Sequence, residues 1–190
     1  MKTKCRISGH FLRSSAAAVF FLFANCALTI GITVAAWPVF RQHSEAMALW
    51  LLAASVIMFA LQAVDNVHIL SMLSLSQQYA QAGGPNELFQ TLAAMVGSTR
   101  RWVHFTELLL IDSWIFLLYS VLYRFALVPR ALAAFGLLTV MLHFTGIPLP
   151  AFLGYSIVTL MGVTMGLSHL ALALWLMVRG FERIPSQAAV

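Results

Sequence analysis

Seven ionisable side chains stand inside otherwise apolar stretches of this chain: Asp65, His68, His104, Glu107, Asp112, His143 and His169. These are the residue types of metal ligation, proton transfer and buried ion pairing. Asp65 and His68 are three residues apart, as are His104 and Glu107. On a helix that spacing separates two side chains by about 60° around the axis, so each pair shares a face. A carboxylate and an imidazole on each of two adjacent helices, with His143 from a third, make the ligand set of a metal site in a helical bundle. Zinc and iron both accept such ligands, and a bound metal would activate water for hydrolysis or oxidation. Haem held by axial histidines is a further use of the same imidazoles. Asp112 is rotated by about 140° from Glu107 and is expected to belong to a different face.

A simpler reading uses the same residues. Asp65, Asn66 and His68 open a polar stretch and fit a wet interface. His104 and Glu107 can pair with each other, or with Arg100 and Arg101, among lipid headgroups. His143 by itself fits a hydrogen-bonded helix histidine. His169 follows Gly162-x-x-x-Gly166, a spacing that lets helices approach closely, and fits a packing residue bonded to a neighbouring hydroxyl or carbonyl.

The elements that carry these residues are written in the composition. Of 190 residues, 61% are hydrophobic and 9% charged, with a mean hydropathy of +0.89. A soluble domain has about 25% charged residues, so this chain lacks the polar surface for water and fits a bilayer. The net charge of +5 does not point to nucleic acid, because the basic residues punctuate the ends of apolar runs rather than forming one basic face. The two cysteines, Cys5 and Cys26, form no C-x-x-C motif, and no disulfide is expected between them. There is no G-x-S-x-G, H-E-x-x-H or phosphate-loop motif, which removes the common hydrolase, zincin and nucleotide-binding signatures.

The expected fold is all-α: a single membrane domain over 1–190 with spans at about 15–39, 46–72, 102–123, 131–147 and 151–178. The first run is far longer than the roughly 7–15 apolar residues of a signal peptide, so it reads as a retained span, closed by Trp37 and Pro38. Residues 74–101 form a polar connection with breakers at Gly83-Gly84-Pro85. Its 87–98 segment either lies on the membrane surface or extends the third span. Gly146-Ile147-Pro148-Leu149-Pro150 is expected to turn the chain between the last two spans, because proline lacks the helix donor and disfavours helix before it. Threading five antiparallel spans puts Asp65, His68, His104, Glu107 and His143 within roughly 5–12 Å of one interface, with Asp112 deeper and His169 near mid-membrane. The charge rule leaves orientation open: Lys2, Lys4, Arg6, Arg13, Arg100 and Arg101 on one side oppose Arg41, Arg124, Arg130, Arg179 and Arg183 on the other.

Four segments carry a resemblance: AWPVFRQHSE at 36–45, LSMLSLSQQY at 70–79, LYRFALVPR at 122–130 and ALWLMVRGF at 173–181. In order and spacing they resemble the bacterial membrane family labelled domain of unknown function (DUF) 4386. The resemblance implies a multi-span helical fold, usually of six spans, with the Arg41, Arg124–Arg130 and C-terminal ends cytoplasmic; it implies no chemistry. It also implies glutamate near 169 and an Arg/Glu pair near 55 and 58, where this chain has His169, Ser55 and Met58.

Three functions follow as expectations. The first is an accessory or structural protein of the bacterial inner membrane, in contact with lipid. A protein partner or a second copy would dock through the Gly162/Gly166 face. The second is a metal-dependent membrane enzyme, or a metal- or haem-binding protein, using Asp65, His68, His104, Glu107 and His143. The third is a small-solute transporter, which would call for discontinuous helices and repeat symmetry; only the Gly146–Pro150 break is of that kind.

Overall fold

The computed structural model describes residues 2–81, 87–154 and 158–182. It is all-helical: α1 (Lys2–His43), α2 (Glu45–Gln81), α3 (Glu87–Arg124), α4 (Arg130–Gly146), α5 (Pro148–Phe152) and α6 (Val158–Arg179). Five stretches are long and apolar enough to cross a membrane: Ala17–His43, Glu45–Gln81, Glu87–Arg124, Arg130–Pro150 and Thr159–Arg179. A bilayer core needs about 20 helical residues, so α2 and α3, at 37 and 38 residues, extend beyond it. Large apolar side chains face outward along these helices, Leu138 and Leu160 at 70% exposure and Met177 at 83%. Lipid, not water, is the solvent such surfaces suit.

Two boundaries differ from the sequence expectation and one open alternative is decided, each for a local reason. First, α1 runs through Pro38 to His43. A proline removes one donor, and membrane helices tolerate that loss. Ser44 alone then separates α1 from α2, its Oγ accepting the Met47 N–H at 3.4 Å as a cap on the new helix. Second, α3 is unbroken from Glu87 through Arg100 and Arg101, so the 87–98 segment extends the third span. The Gly83-Gly84-Pro85 breakers lie outside the described residues. Third, the helical course does not stop at Gly146–Pro150. Ile147 keeps helical angles and donates its N–H to His143 O at 3.1 Å. Pro148 and Pro150 then occupy the short α5, where Pro148 stands in the first turn and needs no donor. The chain leaves helix at Leu153 and Gly154, whose φ of +74° suits glycine. After Gly154 the next described helix is α6, from Val158.

Contacts divide the chain into two compact units, one comprising residues up to Ala35 with Ser55–Glu107, the other Ala36–Ala54 with the chain from Leu108 onward. In the first unit, α1 meets α2 through Phe23 and Phe59, with ring centroids 4.5 Å apart, and through buried Cys26, whose Sγ lies 4.0 Å from Gln62 Oε1. Farther along α2, Tyr79 meets Phe89 of α3 edge-on.

The second unit has a tighter frame. α3 ends in a Schellman arrangement: Leu127 N–H reaches Leu122 O at 3.1 Å and Ala126 N–H reaches Tyr123 O at 3.3 Å. Ala126 takes the left-handed position, φ +49°, which glycine usually fills. The fully buried Leu127 and Val128 follow, and Leu127 O accepts the Glu182 N–H at 2.8 Å. Phe40 stacks edge-on against Phe181, and His43 lies against Phe125. Three of the four segments that carried the family resemblance thus meet in one packed corner. α4 packs on α6, and the Tyr119 ring of α3 occupies the place a side chain at Gly136 would need.

Candidate functional site

In the first unit, helix period gathers the polar residues. Gln62, Asp65 and Asn66 recur at three- and four-residue spacing on α2, as do Arg100, His104 and Glu107 on α3, so each set forms one stripe. Asp65, His104 and Glu107 each offer a ligand atom, and the three atoms lie within 4.8 Å of one another. A tetrahedral metal with bonds near 2 Å sets its ligands about 3.3 Å apart, so small side-chain adjustments would bring these groups to bonding distance. Asp65 and Glu107 are buried, while the His104 side chain is 51% exposed.

The contacts inside this group are close without being well made. Arg100 Nε stands 3.4 Å from Asp65 Oδ1 as an ion pair, yet neither atom has a hydrogen-bond partner. His104 Nδ1 is 3.4 Å from Glu107 Oε2, and Glu107 Oε1 has no partner. Beside them Gln62 Nε2 donates to Asn66 Oδ1 at 3.2 Å. Two buried carboxylates therefore each hold an acceptor atom without a formed hydrogen bond, a costly condition in an apolar interior.

His68 and His143, named from sequence as further ligands, are engaged differently. His68 is half-buried, with Nδ1 2.8 Å from Val64 O of its own helix. His143 belongs to the second unit, where its Nδ1 lies 2.9 and 2.8 Å from the two oxygens of Asp112. Asp112 is wholly buried and His143 nearly so. Gly162 of α6 faces this imidazole: a Cβ there would sit 3.5 Å from Nε2. Gly166, in contrast, meets nothing within 4 Å.

The Asp112–His143 pair continues into a knot of hydroxyls. Tyr119 Oη donates to Ser168 Oγ at 3.2 Å. Thr139 shares its hydroxyl between Ser168 Oγ at 3.1 Å and Gly136 O at 2.9 Å. Ser168 in turn donates to Met165 O at 2.7 Å. His169 is half-buried, its Nδ1 2.8 Å from that same Met165 carbonyl, and its ring stands edge-on to Tyr119. The partner is a carbonyl of its own helix, one turn back, rather than the neighbouring group that the packing reading of His169 called for. Asp112 also forms part of the wall of a groove of about 310 Å³, with Ser113, Phe116, Leu117, Val140, Met141 and Phe144. Sequence reasoning missed this second site. Its signal was the stripe Gly136, Thr139, His143 on α4, opposite Asp112 and Tyr119, which are seven residues apart on α3.

The amino-acid sequence matches the family described as domain of unknown function (DUF4386) over residues 7–180, nearly the whole chain. No curated protein and no solved structure matches it.

Proposed function

This chain belongs to the DUF4386 family, and we propose that its Asp65–His104–Glu107 group binds a divalent transition metal, zinc or iron. One observation carries the reading: Asp65 Oδ1 and Glu107 Oε1 are buried acceptors without a formed hydrogen bond, in a group whose ligand atoms lie within 4.8 Å of one another. A divalent cation would satisfy both oxygens and add to the single positive charge that Arg100 supplies. The His104 imidazole adds a nitrogen ligand from the more open side. All-helical spans fit the bacterial cytoplasmic membrane, because outer-membrane spans are closed β-barrels.

A second reading has its own support. Arg100 stands beside Asp65, so the cluster can be a charge-balanced fastening that orders α2 against α3 in an accessory membrane protein. Elemental analysis of protein purified in detergent without a metal-affinity column separates the two. Metal binding predicts near one equivalent of zinc or iron, lost in Glu107→Gln and His104→Ala and retained in Arg100→Gln, which removes a competing cation. The fastening predicts metal-free wild-type protein and a lower unfolding temperature in Arg100→Gln. Metal-free protein that also fails to bind added zinc or iron in a titration would end the metal reading.

A further inference from the structure

Arg100 belongs to two places at once. Its Nε stands 3.4 Å from Asp65 Oδ1 in the polar group of the first unit, and its side chain is 39% exposed. The same side chain forms part of the wall of a groove of about 490 Å³ among α1, α2 and α3. The rest of that wall is Ala18 and Leu22 from α1 and Ile69, Met72, Leu73 and Ser76 from α2. The α2 residues recur at helical spacing, as one apolar stripe ending in a hydroxyl. Leu22 and Met72 are exposed, so the groove opens onto the lipid-facing surface and draws its occupant from the bilayer. One guanidinium on an apolar wall suits an amphiphile with an anionic head. Arg100 has donors to spare for that head. Among the described residues, Asp65 is its one ionic partner, approached by Nε alone and without a formed hydrogen bond. A guanidinium carries five N–H donors in a planar fork that matches phosphate, and the four on its terminal nitrogens are left for another acceptor.

Charge decides when such a head can bind. Asp65 and Glu107 are buried in the same group as Arg100. With that group empty, an arriving phosphate meets two carboxylates against one guanidinium. A divalent cation on Asp65, His104 and Glu107 cancels both carboxylates and takes Asp65 away from Arg100. The guanidinium is then an unpaired positive charge beside an apolar wall, where an anion is held far more strongly than in water. The first unit as a whole carries six Lys and Arg against three acidic residues, a surplus that draws anionic headgroups toward it. We propose that this groove binds an anionic phospholipid, its phosphate on the Arg100 guanidinium and an acyl chain against the apolar wall, and that metal binding at Asp65, His104 and Glu107 strengthens the site by releasing Arg100. The coupling needs a metal on Asp65 and so rests on the metal reading of that group. It adds to that reading a lipid partner and a mutual control: lipid and metal each tighten the other.

Native mass spectrometry of the full chain released from detergent tests it, with titration of two lipids that share their chains and differ in head charge. They are dioleoylphosphatidylglycerol, which is anionic, and dioleoylphosphatidylcholine, which is zwitterionic. Each is titrated with and without one equivalent of zinc, or of iron(II) if iron alone binds. With metal, the anionic lipid should occupy one site roughly tenfold or more tighter than the zwitterionic one. Removing the metal should weaken the anionic lipid by about fivefold or more and leave the other unchanged. By linkage the anionic lipid should tighten the metal by the same factor, which a diffuse attraction to basic residues does not do. Arg100→Gln should keep the metal and lose the lipid preference. Arg101→Gln removes the same charge at the exposed neighbouring residue, outside the groove wall, and should keep both. Ala18→Trp fills the groove from an exposed position and should keep the metal while abolishing the lipid site. Should Arg100→Gln fold poorly, Ala18→Trp and the metal dependence in wild type decide the matter. Metal that binds without changing the anionic lipid's affinity, equal binding of the two lipids, or a preference that survives Arg100→Gln or Ala18→Trp would each overturn the proposal and leave the metal reading standing. A chain that binds no metal in the same titration ends both.

Discussion

The two units hold carboxylate–histidine chemistry in opposite states of completion. In the second, Asp112 and His143 meet at 2.8–2.9 Å, both buried, with glycine opposite the imidazole and a hydroxyl knot alongside. In the first, Asp65, Arg100, His104 and Glu107 come no closer than 3.4 Å in their ion pairs, and three of their buried polar atoms lack hydrogen-bond partners. A formed buried pair is costly to break from one side, because the partner is left as an uncompensated charge or donor. An unformed one costs less to lose and has more to gain from a ligand. On the proposed reading, the contrast separates a pair that holds helices together from a group that takes an added cation.

The comparison is broken most directly by removing one acid from each unit. Asp112→Ala leaves His143 buried without its acceptor and is expected to cost about 3 kcal/mol or more. Asp65→Ala removes one partner of a long ion pair and leaves Arg100, whose side chain is 39% exposed, free to reorient. In metal-free protein its expected cost lies between zero and about 1 kcal/mol. Chemical denaturation in mixed micelles reads both; equal losses would erase the distinction. The helix glycines sharpen the same contrast. Gly136→Ala drives a methyl group into the Tyr119 ring and should cost about 2 kcal/mol, in the range for overpacking a core. Gly31→Ala and Gly97→Ala, in the first unit, meet nothing within 4 Å and should stabilise by about 0.5–1 kcal/mol through helix propensity alone. Ser168→Ala comes next, at about 1 kcal/mol, since it removes the acceptor that Tyr119 and Thr139 share.

These differences also mark what could be read from sequence. The five spans were legible because each is an apolar run near or above 20 residues, a signal that survives errors at its ends. The ends were not. Local proline rules placed the last turn at Gly146–Pro150, whereas Ile147 stays helical and the left-handed Gly154 makes the exit. The Asp65–His104–Glu107 group was legible because helix spacing fixes which residues share a stripe, and threading brings those two stripes to similar depth. The Asp112–His143 pair was not, since depth says nothing about rotation. α4 turns His143 toward Asp112 because α3 and α4 approach closely where Gly136 yields to Tyr119, and α6 makes room through Gly162. The family segments were legible as a resemblance, and three of the four meet in the corner where Phe40, Phe125, Leu127 and Phe181 pack.

The smallest expected effect tests which residues the first site contains. His68 shares a stripe with Asp65 by spacing, and on that ground it belongs to the ligand set. Its Nδ1, however, lies 2.8 Å from Val64 O one turn back on α2, and the three-residue group forms without it. Losing a half-buried imidazole that bonds its own backbone should change stability by about 0.5 kcal/mol or less. His68→Ala should therefore leave both the unfolding midpoint and the metal content near wild type, while His104→Ala, on the facing helix, removes the metal. Metal lost equally from both variants would restore His68 to the site and require its side chain to turn away from Val64 when the metal binds.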